Sequence, residues 1–283
     1  MASSARRRRA RSVSGRTLAY WLPQLGAGYQ LTPQLQARAS LGRTIGAPSF
    51  DAYNQTPSGA ITTSQQYWDQ LKPELGVKLD LGLRWQAERA YLEPTLYFSR
   101  SRNKGVNVYS EQTRTVYSQN IGQTRGYGLQ LSAGLTPLTG LRLFGALSYS
   151  RSQFSEDVRT NNGAWLPVQG KQLPDVPRWM ANLGAAWQWQ GLTVAPSVNY
   201  VGSRWGTSTY TERLPGYLTA DLNFSYAGKA RWGGWELGLS VLNVFDRRYI
   251  GQISTSEINT ASNGAIYYPG APRTVVGKVK LTF

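Results

Sequence analysis

Apolar residues recur at every second position along most of this chain. Between Leu25 and Leu31 the odd-numbered residues are apolar, and the even-numbered ones are glycine or glutamine. The same alternation runs from Tyr127 to Leu135 and from Leu218 to Tyr226. A period of two places alternate side chains on opposite faces of a strand, whereas a helix requires spacings of three and four. The pattern therefore predicts strands rather than helices.

Eleven such strands are predicted. The segment Tyr91–Arg100 alternates less cleanly than the others, because Pro94 occupies a position where a strand ladder needs an N–H group, as Pro196 does later. Strands of about ten residues exceed the ~5–6 usual in soluble sheets and match the ~9–11 that cross a bilayer at a tilt. The predicted strands are 24–31, 34–43, 71–81, 89–100, 113–135, 141–154, 178–190, 191–204, 216–227, 234–247 and 271–283.

The connections between these strands alternate between short and long. Tight links occur at Thr32-Pro33, Thr136–Gly140, Gln190-Gly191 and Gly228–Gly234. Short turns on one rim and long loops on the other are typical of an outer-membrane barrel, so we predict an antiparallel transmembrane β-barrel. The long polar segments are 44–70, 101–115, 155–177, 203–215 and 247–271.

A soluble β-sandwich would also alternate apolar and polar residues. Two further features favour the membrane barrel. The polar face carries charged residues such as Arg38, Lys78, Asp80 and Asp221, which suit a hydrated lumen. Aromatic residues collect near strand ends, as interfacial girdles do; these are Trp21, Tyr149, Trp187, Trp189, Tyr200, Trp205, Tyr226, Trp232 and Trp235.

Composition narrows the chemistry further. The 283 residues contain no cysteine and no histidine, which excludes disulfides, thiolate metal sites and His-dependent catalytic sites. Mean hydropathy is −0.40 and no stretch approaches ~18 consecutive apolar residues, so a helical membrane protein is excluded. The acidic pair Glu156-Asp157 lies in a polar loop and is interpreted as a solvated surface. We predict a protein that is not an enzyme and needs no cofactor.

The first 20 residues differ from the rest of the chain. Six arginines fall within residues 1–16, and the net charge of the whole chain is +16. No apolar h-region follows, so residues 1–20 are predicted to be a disordered basic leader rather than a signal peptide, and residues 21–283 to be the barrel domain. A soluble cationic β protein that binds nucleic acid through the run Arg6–Arg9 is an alternative, although a short basic run is nonspecific.

The C-terminal sequence resembles that of TonB-dependent outer-membrane receptors. In that family an Asn-x-Phe-Asp-x-x-Tyr segment ends the penultimate strand, and the last strand ends in an aromatic residue. Earlier stretches match in the same order, among them LGRTIGAPSFDAY, LKPELGVKLD and LPDVPRWMANLGAAW. The residues that match the C-terminal signature are Asn243, Phe245, Asp246, Tyr249, Pro272, Arg273 and Phe283.

The resemblance implies a barrel of about 22 strands with a plug, in the outer membrane of a Gram-negative bacterium. It also implies uptake of a scarce ligand, usually a ferric siderophore, with energy passed from the TonB complex through a plug and N-terminal box that these residues do not show. The implied partners include outer-membrane lipid and lipopolysaccharide. Because eleven strands are half of the family number, we expect the C-terminal half of a receptor. A complete porin-like barrel of about twelve strands is the alternative.

The long loops supply candidate ligand contacts. Aromatic rings there could hold flat chelate groups, and cations could attract anionic complexes. An equally open interpretation is an aromatic rim whose cations contact outer-leaflet phosphates. The cations are Arg102, Lys104, Arg159, Lys171 and Arg213, and further aromatics are Tyr67 and Tyr210. The ligand-facing candidates are Tyr53, Trp68, Trp165, Tyr267 and Tyr268.

Overall fold

The computed structural model describes residues 19–47, 71–110, 115–120, 122–159, 165–254 and 266–283. Its strands, in chain order, are β1 (Gln24–Thr32), β2 (Leu35–Gly46), β3 (Glu74–Gln86), β4 (Ala90–Arg102), β5 (Gly105–Ser110), β6 (Thr115–Asn120), β7 (Gln123–Leu138), β8 (Leu141–Phe154), β9 (Val158–Arg159), β10 (Trp165–Leu166), β11 (Trp179–Trp189), β12 (Leu192–Val201), β13 (Arg204–Trp205), β14 (Arg213–Leu214), β15 (Tyr217–Ala230), β16 (Gly233–Leu242), β17 (Ile250–Ser254), β18 (Ile266–Pro269) and β19 (Thr274–Thr282).

Eleven of these strands form one antiparallel sheet, which confirms the predicted strand number. Their order is β1-β2-β3-β4-β7-β8-β11-β12-β15-β16-β19, so each strand pairs with its neighbours along the chain. The other eight strands form four small hairpins, β5-β6, β9-β10, β13-β14 and β17-β18, all within the long connections. No helix among the described residues is long and apolar enough to span a membrane.

The predicted strand boundaries were wrong at several long-loop ends. The predicted strand 113–135 begins at Gln123, because Thr115–Asn120 pairs with β5 in a separate hairpin. The predicted strand 234–247 ends at Leu242, because Asn243 turns the backbone with a φ of 49°. The predicted strand 191–204 ends at Val201. At the opposite rim Gln190 and Gly191 both have positive φ (45° and 85°), as a two-residue type I′ hairpin turn requires.

Each strand proline leaves the hydrogen-bond ladder intact on one side of its strand and interrupts the ladder on the other side. The pairing of β4 with β7 continues past Pro94 from Ala90 to Arg102. On the other side, the ladder to β3 is interrupted between the Gly82–Thr95 and Trp85–Leu92 pairs. β12 repeats this arrangement, with an interrupted ladder to β11 and a continuous one to β15. The missing proline N–H therefore shortens one ladder without ending the strand.

The sheet has one apolar and one polar face. Leucines of the apolar face are open rather than packed in a core; Leu183, for example, is 64% exposed. An exposed apolar face of this extent is typical of a surface that contacts lipid. Within the described residues, the one cluster of buried apolar side chains lies at the end of β8 and in the connection that follows, and it comprises Phe154, Val158, Leu166 and Val168.

The polar face is linked by hydrogen bonds across strands. Asn182 Nδ2 donates to Asn199 Oδ1 (2.6 Å), and Asn199 Nδ2 donates to Asp221 Oδ2 (3.2 Å). On β2 and β3, Asp80 accepts from Ser40 (3.2 Å) and pairs with Lys78 (3.0 Å). This arrangement agrees with the charged face expected for a hydrated lumen.

Aromatic rings on the polar face lie against glycines of the adjacent strand. A Cβ atom on Gly128 would come within 2.6 Å of the Tyr97 ring, and one on Gly134 within 2.2 Å of the Tyr91 ring. Phe144 lies over Gly184 in the same way. Glycine is required at these positions because any side chain would displace a ring.

Candidate functional site

The predicted ligand-facing residues do not form one group. Tyr53 and Trp68 lie outside the described residues. Trp165 lies in β10 and is 65% exposed, whereas Tyr267 and Tyr268 are exposed in β18, on a different loop. In the described part of the chain, no ring contact joins Trp165 to either tyrosine. Their role in ligand binding stays a prediction.

The structure instead joins three long loops around Arg204. Its side chain is 3% exposed, and its Nε donates to Asp175 Oδ1 at 2.5 Å. Its Nη2 donates to the carbonyls of Ile250 and Gly251, each at 3.2 Å. Asp175 belongs to the loop after β8, Arg204 to the loop after β12, and the two carbonyls to the loop after β16. A buried guanidinium requires such partners because desolvation is costly.

Aromatic rings lie beside the Arg204–Asp175 ion pair, and Lys171 supplies a second cation. Tyr217 and Tyr249 stack with ring centroids 4.2 Å apart, and Arg204 lies 6.0 Å from the Tyr217 centroid. Trp205 and Tyr210 stack at 4.5 Å. We call Lys171, Asp175, Arg204, Trp205, Tyr210, Tyr217 and Tyr249 the loop cluster.

Lys171, in the loop after β8, contacts the tip of the loop after β12. Its Nζ lies 5.5 Å from the Tyr210 centroid and donates to the carbonyl of Thr209 at 3.4 Å. The backbone N–H of Gln172 donates to the Tyr210 hydroxyl. The rings of Trp205 and Tyr210 are half-buried, so part of each stays open to solvent. Cation-backed aromatic rings of this kind suit flat, anionic groups.

Sequence reasoning identified only part of the loop cluster. Lys171 and Tyr210 were among the predicted loop cations and aromatics. Trp205 was predicted to belong to an interfacial girdle, and this was wrong, because it stacks on Tyr210 between loops. Arg204 was missed because it ends a segment predicted as a strand. No local pattern identifies it, since its partners are 29 and 46 residues away along the chain.

The signature residues close the base of the last long loop. Asn243 is 4% exposed, and its backbone N–H donates to Asp221 Oδ1 at 2.8 Å. Its Oδ1 accepts from the Arg247 N–H at 2.9 Å, and its Nδ2 donates to the carbonyls of Arg247 (3.0 Å) and Ala271 (2.9 Å). One side chain therefore joins both ends of the loop. The left-handed backbone at this position favours asparagine.

The remaining signature residues divide between this loop and the opposite rim. Asp246 Oδ1 accepts from the Arg273 N–H at 2.9 Å. The Tyr249 ring lies over Gly270, where a Cβ atom would overlap it. Phe245 is exposed. Phe283, at the short-turn rim, lies beside Trp232 with ring centroids 5.7 Å apart. The signature is thus explained by loop closure rather than by ligand contact.

Curated receptors share sequence similarity with most of this chain. Metal-pseudopaline receptor CntO of Pseudomonas aeruginosa is 27% identical over 271 residues, which are 92% of this chain and 33% of that protein. Ferrioxamine B receptor of Salmonella typhimurium is 27% identical over 216 residues, 71% of this chain and 28% of that protein. The chain thus spans about a third of the length of these curated relatives.

Solved structures show the same fold. The copper transporter OprC superposes with a TM-score of 0.71 at 18% identity, over 92% of this chain and 39% of that one. The ferric yersiniabactin uptake receptor FyuA of Yersinia pestis gives 0.69 at 21% identity, over 93% and 37%. Residues 3–244 match the family described as TonB dependent receptor-like, beta-barrel. The chain therefore belongs to the TonB-dependent receptor β-barrel family.

Proposed function

We propose that this chain forms the ligand-facing part of a Gram-negative outer-membrane receptor that takes up a metal chelate of the siderophore class. The observation that carries the proposal is the loop cluster, because it brings two cations and four aromatic rings from three loops and the start of β15 into one group. The relatives named above include receptors for metal-pseudopaline and ferrioxamine B. Coupling to the TonB complex would run through the plug and N-terminal box that the family resemblance implies.

The binding surface that we propose is centred on Lys171, Trp205 and Tyr210. Lys171 would attract the negative charge of the chelate, and the two rings would contact its flat organic part. Trp165, Tyr267 and Tyr268, exposed on the flanking loops, would add apolar contacts. Arg204 is too buried to touch a ligand and would hold the loops in place.

Binding and growth assays test this proposal. The full receptor that carries this segment is expressed in a strain that lacks its own siderophore receptors, and growth is scored under iron limitation. Ferric hydroxamate, catecholate and carboxylate chelates are supplied one at a time. Rescue by at least one of them is expected. Failure with every iron chelate would refute the siderophore proposal, and rescue by a nickel, zinc or copper chelate would redirect it to that metal.

Variants then locate the site. Lys171→Ala and Tyr210→Ala are each expected to weaken binding of the rescuing chelate by about tenfold, the size of a partly desolvated cation–π contact. Lys229→Ala, at the opposite end of β15, is the matched control and should bind normally. Equal affinity of all three variants would show that the loop cluster is not the binding surface.

We further infer that the eleven strands are the C-terminal half of a larger barrel. With eleven antiparallel strands, β1 and β19 run in the same direction and cannot pair antiparallel with each other. All nine residues of β1 are exposed, and an unpaired edge in lipid costs several kcal/mol per unsatisfied group. Sequencing the DNA directly upstream is decisive. Further alternating strands, a plug and a signal peptide would support the inference, and unrelated sequence would defeat it.

A further inference from the structure

At the long-loop rim the apolar face ends in arginine on three strands and is interrupted by arginine on a fourth. Along β4 the apolar positions Leu92, Pro94, Leu96 and Phe98 are followed at the next position on that face by Arg100. On β7 and β8 an arginine likewise stands one position beyond the last apolar residue of that face, whereas on β2 Arg43 follows Leu41 and is itself followed by Ile45. We call Arg43, Arg100, Arg125 and Arg151 the arginine row.

Strand register brings these arginines close together. Arg100 pairs directly with Arg125 across β4 and β7. Val77 of β3 separates Arg100 from Arg43 in the same cross-strand row. Arg151 pairs with Tyr127, two residues along β7 from Arg125. Neighbouring strands are about 4.8 Å apart, and like charges directly opposite one another destabilise a sheet.

No carboxylate of the described residues neutralises the arginine row. The four ion pairs of the described part of the chain involve Lys78, Arg84, Arg204 and Lys278 instead. Arg100 Nε donates to the neutral amide oxygen of Gln123 at 3.0 Å, which orients the guanidinium without cancelling its charge. The Nε of Arg151 is buried and has no hydrogen-bond partner among the described residues. Arg100 and Arg125 are exposed.

Aromatic residues lie directly below the arginine row on the same face. Phe98 pairs with Tyr127 across β4 and β7. Tyr149 of β8 contacts Trp179 of β11 with ring centroids 4.7 Å apart. Aromatic residues in such a band mark the boundary between headgroups and acyl chains. The arginines beyond this band are therefore at the level of headgroup phosphates.

We propose that the arginine row binds the phosphate groups of an outer-leaflet glycolipid of the lipopolysaccharide type, whose acyl chains cover the apolar face below. Guanidinium groups bind phosphate oxygens in a bidentate manner, and a phosphomonoester carries nearly two negative charges. One such ligand offsets the repulsion between Arg100 and Arg125. The inference rests on the outer-membrane location proposed above but not on the identity of the transported chelate.

Lipid binding by the full receptor that carries this chain, in neutral detergent, tests the proposal. Lipopolysaccharide retained after gel filtration is quantified for the unmodified chain and for the triple variant R100Q/R125Q/R151Q. The triple variant is expected to bind about a hundredfold more weakly, because three cations near a phosphate surface are removed. The control variant R38Q/R84Q/R142Q removes three arginines from the polar face and should bind as the unmodified chain does.

Three comparisons identify the ligand chemistry. Dephosphorylated lipopolysaccharide should bind the unmodified chain as weakly as intact lipopolysaccharide binds the triple variant. Phosphatidylcholine vesicles should not distinguish the variants. Inorganic phosphate should compete only weakly, and competition at equal concentration would show a free-anion site rather than a lipid site. The single variant Arg125→Gln, which relieves repulsion and should fold normally, is expected to bind about fivefold more weakly.

Equal retention by the triple variant and the unmodified chain would overturn the proposal. Equal loss in the control variant would overturn it as well, because attraction by net charge alone would then explain the binding. Chelate uptake is measured in a separate growth assay and with variants of the loop cluster. Failure of lipid binding therefore leaves the proposed transport function standing. The converse also holds, because lipopolysaccharide retention does not require a transported ligand.

Discussion

The loop cluster and the sheet wall each contain a short ion pair, but the two pairs have different surroundings. In the loop cluster Arg204 and Asp175 are 2.5 Å apart, and the arginine side chain is 3% exposed. In the wall Lys78 and Asp80 are 3.0 Å apart, and the lysine side chain is 54% exposed. Water can replace either partner in the wall but not the guanidinium partners in the loop cluster. Burial, rather than distance, therefore decides how much each ion pair contributes to stability.

The largest effect is expected from a charge placed on the apolar face of the wall. Leu222→Arg should destabilise the folded protein by about 2–4 kcal/mol if the residue lies near the bilayer midplane. Asn223→Arg is the matched control, because it adds the same charge at the next residue, on the polar face. Urea unfolding from lipid vesicles measures both variants. Equal tolerance at the two positions would contradict the membrane barrel.

A smaller loss is expected when the centre of the loop cluster is removed. Arg204→Ala leaves Asp175 and the carbonyls of Ile250 and Gly251 without their donors and should cost about 2 kcal/mol. The loss should be local to the three loops, because Arg204 pairs only within the short β13-β14 hairpin and not in the eleven-stranded sheet. Hydrogen exchange at the amides of residues 171–175 and 250–253 should therefore accelerate, while exchange within β15 stays unchanged.

Arg213→Ala is the control for this prediction. Arg213 lies in the same loop as Arg204 but is exposed, and among the described residues its side chain donates only to Ser203 Oγ, at 3.3 Å. We expect a change below about 0.5 kcal/mol. If both arginine variants behaved alike, the loops would not be held together by Arg204.

The smallest effect is expected in the polar wall. Asp80→Asn removes the charge that pairs with Lys78 but keeps a group that can accept from Ser40. Because the ion pair is largely exposed, the free energy of unfolding should fall by less than about 1 kcal/mol. A loss as large as that for Arg204→Ala would show that water screens the Lys78–Asp80 pair less than the exposure of these side chains indicates.

Local pattern determined the sheet but not its interruptions. The alternation predicted eleven strands because each residue's face depends only on its position along the strand. It predicted that three strands extend too far, because the point at which a residue such as Asn243 leaves the ladder depends on contacts with residues that are distant along the chain. Asn243 turns the chain because Asp221, Arg247 and Ala271 satisfy its backbone and side-chain groups.

The sequence by itself determined the fold class, the strand number, the apolar and polar faces, the asymmetry of the two rims and the family. These properties follow from neighbours one or two residues apart and from short collinear motifs. Tertiary structure decided which loop residues meet, because loop contacts join residues separated by tens of positions. It also placed Arg100 directly opposite Arg125, since only strand register determines which charges face each other. Both the loop cluster and the arginine row therefore emerge only once the strands are paired.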